Sequence, residues 1–211
     1  KEESAKLQKS KIAKIIAVSK TFSLDSIMPL IVYGHHDFGE NKVQEAKVKW
    51  TDIKKNKPNL KLHFVGKLQT NKAKDVVKLF DYFHSLDNIK QAEALSKFED
   101  QYKKKLKYFV QINIGLETQK SGVDLNDAKN FVEICISKYN LNIIGLMCLP
   151  PNDSSSKKYF TIMNDLKLSL SKYPTLQLSE LSMGMSNDYL EAVNSGSTYI
   201  RVGTKIFGER K

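Results

Sequence analysis

Residues 181–210 read LSMGMSNDYLEAVNSGSTYIRVGTKIFGER, and this stretch decides the fold class. Its apolar start predicts the end of a strand, and a glycine- and serine-containing turn follows at residues 182–186. A short helix is predicted over residues 187–194, ending at Gly196, and the β-branched run 199–202 predicts another strand. A strand, a helix and a second strand in this order indicate a sheet with helices packed against it.

The same alternation extends along the whole chain. Several strands are continuous apolar runs, as expected when both faces of a sheet are covered by helices. Eight strands with seven intervening helices, after an N-terminal helix, predict a single (β/α)8 barrel of the TIM type over residues 1–211. An open, doubly wound sheet is the alternative. The predicted strands are 15–19, 37–40, 62–66, 82–85, 108–114, 143–149, 178–183 and 199–202; the predicted helices are 24–33, 42–55, 71–79, 89–104, 125–139, 159–171 and 187–194.

Two turns near the C-terminus have the composition of a phosphate site. Backbone N–H groups at a helix start, with the positive end of its dipole, favour an anion at residues 182–186. The next strand runs into Gly203 and Thr204, a second small-residue turn able to approach the same anion. Arg201 lies inside that strand, and arginine occurs only here and at Arg210 in a lysine-rich chain, which indicates a need for its fixed charge. The alternative is that the glycines form ordinary turns and that Arg201 faces solvent.

A barrel would bring these turns together with Lys20. Active sites of such barrels lie at the carboxyl ends of the strands, and phosphate sites often follow strands seven and eight. Lys20 comes directly after the first predicted strand, where a lysine can form a Schiff base or simply reach water. An amine and a phosphate anchor are what pyridoxal 5'-phosphate (PLP) requires, and Arg201 is a candidate partner for the ring nitrogen of PLP. A permanently charged arginine would leave that nitrogen unprotonated.

Composition excludes several classes of protein. The 211 residues are 41% hydrophobic and 27% charged, as in globular proteins, and neither a transmembrane run nor a secretory signal is recognised. A net charge of +11 allows nucleic-acid binding, but the lysines are dispersed and no nucleic-acid motif is present, so we favour a solvated surface. Cys135 and Cys148 lie in apolar stretches and are expected to be free thiols in the cytoplasm. His35 and His36 lack a Cys/His partner pattern, so no metal site is expected.

The chain resembles a known family, the pyridoxal phosphate homeostasis proteins (the YggS/PROSC family). This family shares its barrel with the N-terminal domain of alanine racemases. The resemblance covers nearly the whole chain, with the motifs in order. They are AVSK at residues 17–20, FGEN and VQE within 38–45, HF, G, LQ and NK within 63–72, HS and D within 84–87, GLM at 145–147, LSMGMS at 181–186 and IRVGT with IFGER at the C-terminus.

The resemblance implies a role for individual residues. Lys20 matches the lysine that carries PLP as a Schiff base, and Arg201 matches the arginine that faces the pyridine nitrogen. Asn41 matches a residue close to the cofactor, and Met183 either lines the ring pocket or is an ordinary core methionine. The matched phosphate-binding positions are Ser186, Gly203 and Thr204. The chain departs from the family at Lys42, often an aromatic residue there, and at Lys67, frequently a histidine; both departures concern the pocket rim.

Other polar residues near these motifs have open roles. Gln69, Asn71 and Lys72 either face the barrel mouth or cap the helix after the third strand. His63 begins its strand and is expected at the end of the barrel away from the site, whereas His84 lies further along its strand and is the better pocket candidate.

Two functions remain open. The chain is either a PLP-binding protein that stores, buffers or delivers the cofactor to apo-forms of PLP-dependent enzymes, or a racemase-like enzyme of fold type III. Alanine racemases add a C-terminal domain that supplies a catalytic tyrosine, and this chain stops at Lys211. Racemisation needs acid–base groups on both faces of the substrate, and only Lys20 is a candidate. We therefore expect a binding protein, a monomer or weak dimer, rather than an enzyme.

Overall fold

The computed structural model describes residues 13–115, 121–151 and 156–209. Within these ranges, parallel strands alternate with helices and close into one barrel whose strands pair in chain order. The strands are β1 (Lys14–Val18), β2 (Asp37–Glu40), β3 (Lys61–Phe64), β4 (Tyr82–Leu86), β5 (Lys107–Ile112), β6 (Asn142–Cys148), β7 (Glu180–Met185) and β8 (Tyr199–Val202). The helices that follow each strand in turn are α1 (Leu24–Val32), α2 (Val43–Asn56), α3 (Ala73–Leu79), α4 (Ile89–Tyr102), α5 (Ala128–Ser137), α6 (Ser156–Leu170), α7 (Tyr189–Asn194) and α8 (Thr204–Phe207), with a 3-10 turn at Thr70–Lys72 before α3.

Closure of the sheet confirms the predicted (β/α)8 barrel. β1 pairs with β8 in register from Lys14 opposite Tyr199 to Ala17 opposite Val202, so the alternative of an open sheet is wrong. The ends of the strands lie within two residues of those predicted. The predicted N-terminal helix lies outside the described residues.

The region around α7 and α8 differs from the prediction in two ways. α7 begins at Tyr189, two residues late, because the backbone ahead of it forms a turn in which the Asp188 carboxylate accepts from the Met185 N–H at 2.6 Å. Gly196 follows α7 with a φ of +91°, as expected of a glycine after a helix. The sequence predicts a turn at Thr204, and the structure places that residue at the start of α8.

Apolar side chains form an outer and an inner cluster. The outer cluster packs the strands against the helices and includes Trp50, the largest fully buried side chain. The inner cluster lies inside the barrel and includes Ile16 and Val18, which alternate along β1 with the outer Ala17. This two-residue period follows from the pleat of a strand. The inner cluster holds few apolar side chains (Ile16, Val18, Tyr82, Phe109, Met147 and Tyr199), and polar side chains fill much of the remaining interior.

Across the described ranges, no helix combines the length and apolar character needed to cross a membrane. The same ranges contain no group of three or more His, Cys, Asp or Glu side chains arranged to hold a metal ion.

Candidate functional site

The turns after β7 and β8 meet at the carboxyl end of the barrel. The Gly203 N–H donates to Ser186 Oγ at 3.4 Å. A side chain at Gly203 would stand 3.3 Å from the carbonyl oxygen of Val18, the last residue of β1. The absence of a side chain there lets the β8 turn approach the end of β1, and Thr204 follows at the exposed start of α8. The structure therefore brings Ser186, Gly203 and Thr204 together beside the strand that leads to Lys20.

The segment that carries Lys20 packs against the same corner. Lys20 lies two residues beyond β1 and is half-buried. Thr21 has a φ of +70°, an unfavourable conformation for a β-branched residue, so the surrounding contacts must hold it. The Phe22 ring packs on Phe207 of α8 with a centroid distance of 5.0 Å. These contacts join the Lys20 segment to the turn formed by Gly203 and Thr204.

An ionic cluster centred on the buried Lys49 holds the backbone of the Lys20 segment. Lys49 Nζ of α2 lies 2.7 Å from Glu40 Oε1 and 2.8 Å from Glu45 Oε1. The same amine donates to the backbone carbonyl oxygens of Ser19 at 2.8 Å and Phe22 at 3.3 Å. Lys49 therefore binds the backbone on both sides of Lys20.

The two glutamates complete this cluster. The Glu45 carboxylate accepts from the Thr21 N–H, and Glu40 Oε1 accepts from Ser19 Oγ at 2.8 Å and from Trp50 Nε1 at 3.0 Å. Burial alone would raise the pKa of Glu45, but hydrogen bonds from Lys49 and from Thr21 lower it below its ordinary value. The sequence did not predict this cluster; the i,i+4 spacing of Glu45 and Lys49 is its one local signal.

Arg201 is buried inside the barrel and is held by uncharged oxygens. Its Nη1 donates to the carbonyl oxygen and to the hydroxyl of Ser182, both at 2.7 Å, and its Nη2 donates to the Cys148 carbonyl oxygen at 2.8 Å. Only 4% of Arg201 is exposed, so the alternative that it faces solvent is wrong. Burial lowers the pKa of Arg201, while the nearby Cys148 and Asp188 act in the opposite direction. The sequence did not indicate Ser182 as its partner.

Asn41 supplies a buried polar atom at the end of β2. Its Oδ1 is buried and has no hydrogen-bond partner in the structure. A buried amide oxygen without a partner is costly, so the position suits a ligand atom or a water that donates to it. A Cβ on Gly66 would stand 2.0 Å from the Asn41 carbonyl oxygen, and this close approach fixes the backbone of Asn41.

The Gly66→Ala variant is expected to lose about 1–3 kcal/mol of unfolding free energy, because the added methyl overlaps the Asn41 backbone. Urea unfolding measures this loss. Lys67→Ala, at the exposed neighbouring residue, serves as the control and is expected to change the free energy by less than about 0.5 kcal/mol. Equal stability of the two variants would contradict the close approach.

Met183 is placed apart from the other matched residues. It is fully buried in the outer cluster with Leu181 and Ala192, and it alternates along β7 with Ser182, which points into the barrel. This placement favours the core-packing role that the sequence left open.

The two histidines lie in the barrel interior. His63 and His84 are both fully buried, and they are hydrogen-bonded to each other. His63 is the third of the four residues of β3 and not its start, and it also bonds to Asp37 at the start of β2. It therefore lies in the middle of the interior, between Asp37 and His84, and not at the end of the barrel away from the site as predicted. The side chains of Gln69 and Lys72 form no hydrogen bond to the start of a helix, so neither residue caps a helix with its side chain. Gln69 and Asn71 are exposed.

A cavity of about 360 Å³ opens at the same end of the barrel, over the strands β3 to β6. Burial raises the pKa of Asp87 in its wall, and the charge of Lys67 acts in the opposite direction. None of the seven matched residues lines this cavity, which lies on the other half of the mouth. Its lining includes Gly66, Lys67, Ser85, Asp87, Gln111 and Leu149.

Comparison with known proteins identifies the family. The family described as "Alanine racemase, N-terminal domain" matches residues 3–211. The pyridoxal phosphate homeostasis protein of Pasteurella multocida is 38% identical over 201 residues, which cover 93% of this chain and 86% of that protein. This chain belongs to the pyridoxal phosphate homeostasis protein family. Its relative in Escherichia coli K12 is 33% identical, again over 93% of this chain and 85% of the relative.

Solved structures agree with the family and with the fold. PipY of Synechococcus elongatus without PLP has a TM-score of 0.87 and 34% identity, covering 98% of this chain and 99% of PipY. PipY with PLP bound has a TM-score of 0.85 and 33% identity, covering 98% of both chains. An alanine racemase of Clostridium difficile has a TM-score of 0.74 at 14% identity, covering 99% of this chain and 55% of the racemase. At 14% identity, the similarity between this chain and the racemase shows only a shared barrel fold.

Proposed function

We propose that this chain binds PLP at the mouth of the barrel and serves intracellular PLP homeostasis by storing, buffering or delivering the cofactor. One observation carries the proposal: the turns of Ser186 and Gly203 meet against the end of β1, the strand that leads to Lys20. An anion site and an amine are thereby combined at one corner. The relatives named pyridoxal phosphate homeostasis protein and the PipY structure with PLP bound support it.

The residues present fit this cofactor. Lys20 provides the amine, and the Ser186 hydroxyl with the Thr204 N–H would hold the phosphate, joined by the Gly203 N–H in exchange for its long bond to Ser186 Oγ. The partnerless Oδ1 of Asn41 would accept a hydrogen bond from a ligand hydroxyl. When bound, PLP supplies an aldehyde that forms a Schiff base with Lys20 and a ring that withdraws electrons.

Arg201 would face the ring nitrogen as a hydrogen-bond donor. A guanidinium keeps its protons, so Arg201 would leave that nitrogen unprotonated and the ring a weak electron acceptor. Such an arrangement suits retention of the cofactor better than turnover of amino acids. Racemisation would also require a second acid–base group opposite Lys20. We therefore propose a binding protein, and expect no racemisation of alanine above the rate without protein.

The further partners and the location are part of the same proposal. The chain would act in the cytoplasm, as a monomer or weak dimer, and would deliver PLP to apo-forms of PLP-dependent enzymes. Cys135 and Cys148 are free and buried, and burial raises the pKa of each thiol to about 12, which suits unreactive thiols in a reducing compartment. Met185, Leu190 and Ile206 are exposed near the proposed site and could contact a recipient protein.

The test is borohydride reduction of the protein after addition of PLP, followed by peptide mass mapping. We expect one pyridoxyl group, located on Lys20. Lys14, at the other end of β1, is the internal control and should stay unmodified. Label scattered over many lysines, or absent from Lys20, would refute the site. Alanine racemisation measured on the same loaded sample separates a carrier from an enzyme.

A further inference from the structure

A chain of hydrogen-bonded polar side chains crosses the barrel interior and ends at Arg201. Asp37 Oδ1 lies 2.9 Å from His63 Nε2, and His63 Nδ1 lies 3.0 Å from His84 Nε2. His84 Nδ1 lies 2.9 Å from Ser182 Oγ, which accepts from Arg201 Nη1 at 2.7 Å. The chain thus joins β2, β3, β4, β7 and β8, and its three middle members are fully buried.

The two charged ends fix the direction of every hydrogen bond. An ionised aspartate only accepts and an arginine only donates. Because Asp37 accepts, a neutral His63 carries its proton on Nε2 and accepts at Nδ1. His84 must then donate from Nε2 and accept at Nδ1. Ser182 therefore directs its hydroxyl proton at His84 and keeps its lone pairs for Arg201.

The surroundings support uncharged rings in fixed orientations. Burial lowers the pKa of His63 despite its bond to Asp37, and burial together with the neighbouring His63 and Arg201 lowers the pKa of His84 well below its ordinary value. Stacking fixes the ring planes, with centroid distances of 4.2 Å from His63 to Tyr82 and 4.3 Å from His84 to Phe109.

We propose that four residues orient the Arg201 guanidinium through one hydrogen-bond chain and are therefore positioning residues: Asp37, His63, His84 and Ser182. All hydrogen bonds of this chain run in the same direction, from Arg201 as the first donor to Asp37 as the last acceptor. The chain replaces a direct carboxylate partner: Ser182 presents a neutral oxygen to Arg201, and the carboxylate stands at the far end of the chain. Arg201 is thereby fixed without an ion pair that would neutralise it. The inference rests on the proposed function only where it assigns Arg201 to the PLP ring.

The first test is the tautomer of each histidine, measured by long-range 15N–1H NMR of the imidazoles in protein without added PLP. We expect both His63 and His84 to be neutral with the proton on Nε2 at pH 7. A proton on Nδ1 of either ring, or a charged ring, would overturn the proposal. This measurement does not depend on any cofactor.

The second test is Ser182→Ala, which removes the hydroxyl between His84 and Arg201. We expect the His84 Nδ1 resonance to shift, because it loses its donor, and the Kd for PLP to rise about tenfold, as for one lost hydrogen bond to a charged group. The control is Ser197→Ala, whose hydroxyl is equally buried but donates to the Met183 carbonyl outside the chain. An unchanged Kd in Ser182→Ala, or an equal rise in the control, would overturn the positioning role.

The two proposals can fail separately. If the wild-type protein takes up no PLP on Lys20, the proposed function is refuted. The histidine tautomers still decide whether the hydrogen-bond chain exists. If the tautomers differ from those expected, the hydrogen-bond chain is refuted, and labelling of Lys20 still supports the cofactor site.

Discussion

Replacing Lys49 with methionine is expected to lower the free energy of unfolding by about 3–5 kcal/mol. The Lys49 side chain is 8% exposed and lies between two carboxylates, of which Glu40 is fully buried. Removing the ammonium leaves the Glu40 charge buried with only neutral donors, Ser19 Oγ and Trp50 Nε1. Its other oxygen, Oε2, already lacks a hydrogen-bond partner, so no second donor compensates.

Urea unfolding measures this change, and Lys47→Met on the same helix is the matched control. Lys47 is 51% exposed and pairs with Asp75 at 3.1 Å, so its loss is expected to cost only about 0–1 kcal/mol. Combining Lys49→Met with Glu40→Gln should recover part of the loss, because the second change removes the unpaired charge. A Lys49→Met variant as stable as the control would show that the cluster does not depend on this ion pair.

The same substitution is expected to alter the proposed Lys20 site. Lys49 donates to the backbone on both sides of Lys20, and its partner Glu45 holds the strained Thr21. Without these bonds Thr21 can leave its positive φ, and the backbone that carries Lys20 loses its support. The cluster therefore connects the stability of the fold to the geometry of the proposed Lys20 site.

Local pattern predicted the alternation of strands and helices and favoured a barrel over an open sheet. The apolar runs of β5 and β6 and the helical periods between strands are properties of neighbouring residues, so their order could be read along the chain. Barrel closure then implied that the turns after β7 and β8 lie near the end of β1. The contact between Ser186 and Gly203, with the close approach of Gly203 to the Val18 carbonyl oxygen, confirms this expectation.

Contacts between distant residues could not be predicted in this way. His84 and Ser182 are 98 positions apart, and no spacing rule relates them. Lys49 looks like one more helix lysine, and only the fold shows that it is buried at Glu40. Met183 illustrates the same point, since a residue in a matched motif can face either side of its strand, and the pleat decides which.

Lowering the pH from 7.5 to 5.5 is expected to remove unfolding free energy, up to about 2–3 kcal/mol when both buried histidines stay neutral in the folded protein. His63 and His84 have pKa values lowered in the folded protein, chiefly by burial, so the unfolded chain binds protons near pH 6.5 while the folded protein does not. The stability that the two histidines contribute is therefore fully present above pH 6.5. Below pH 6.5 the free energy of unfolding falls by about 1.4 kcal/mol per pH unit for each histidine that stays neutral. Asp37 also has a lowered pKa: burial alone would raise it, but His63, Lys14 and His35 together outweigh burial, and its contribution is lost only near and below pH 4.

Urea unfolding at pH 7.5, 6.5 and 5.5 tests this dependence, and the slope against pH separates it from a general loss of stability. His84→Gln is expected to reduce the slope by about half, since one of the two titrating rings is gone. His36→Gln removes an exposed histidine and should leave the slope unchanged. A wild-type stability that stays constant between pH 7.5 and 5.5 would mean that the buried rings take up protons in the folded protein, and the fixed direction of the hydrogen-bond chain would then be lost as well.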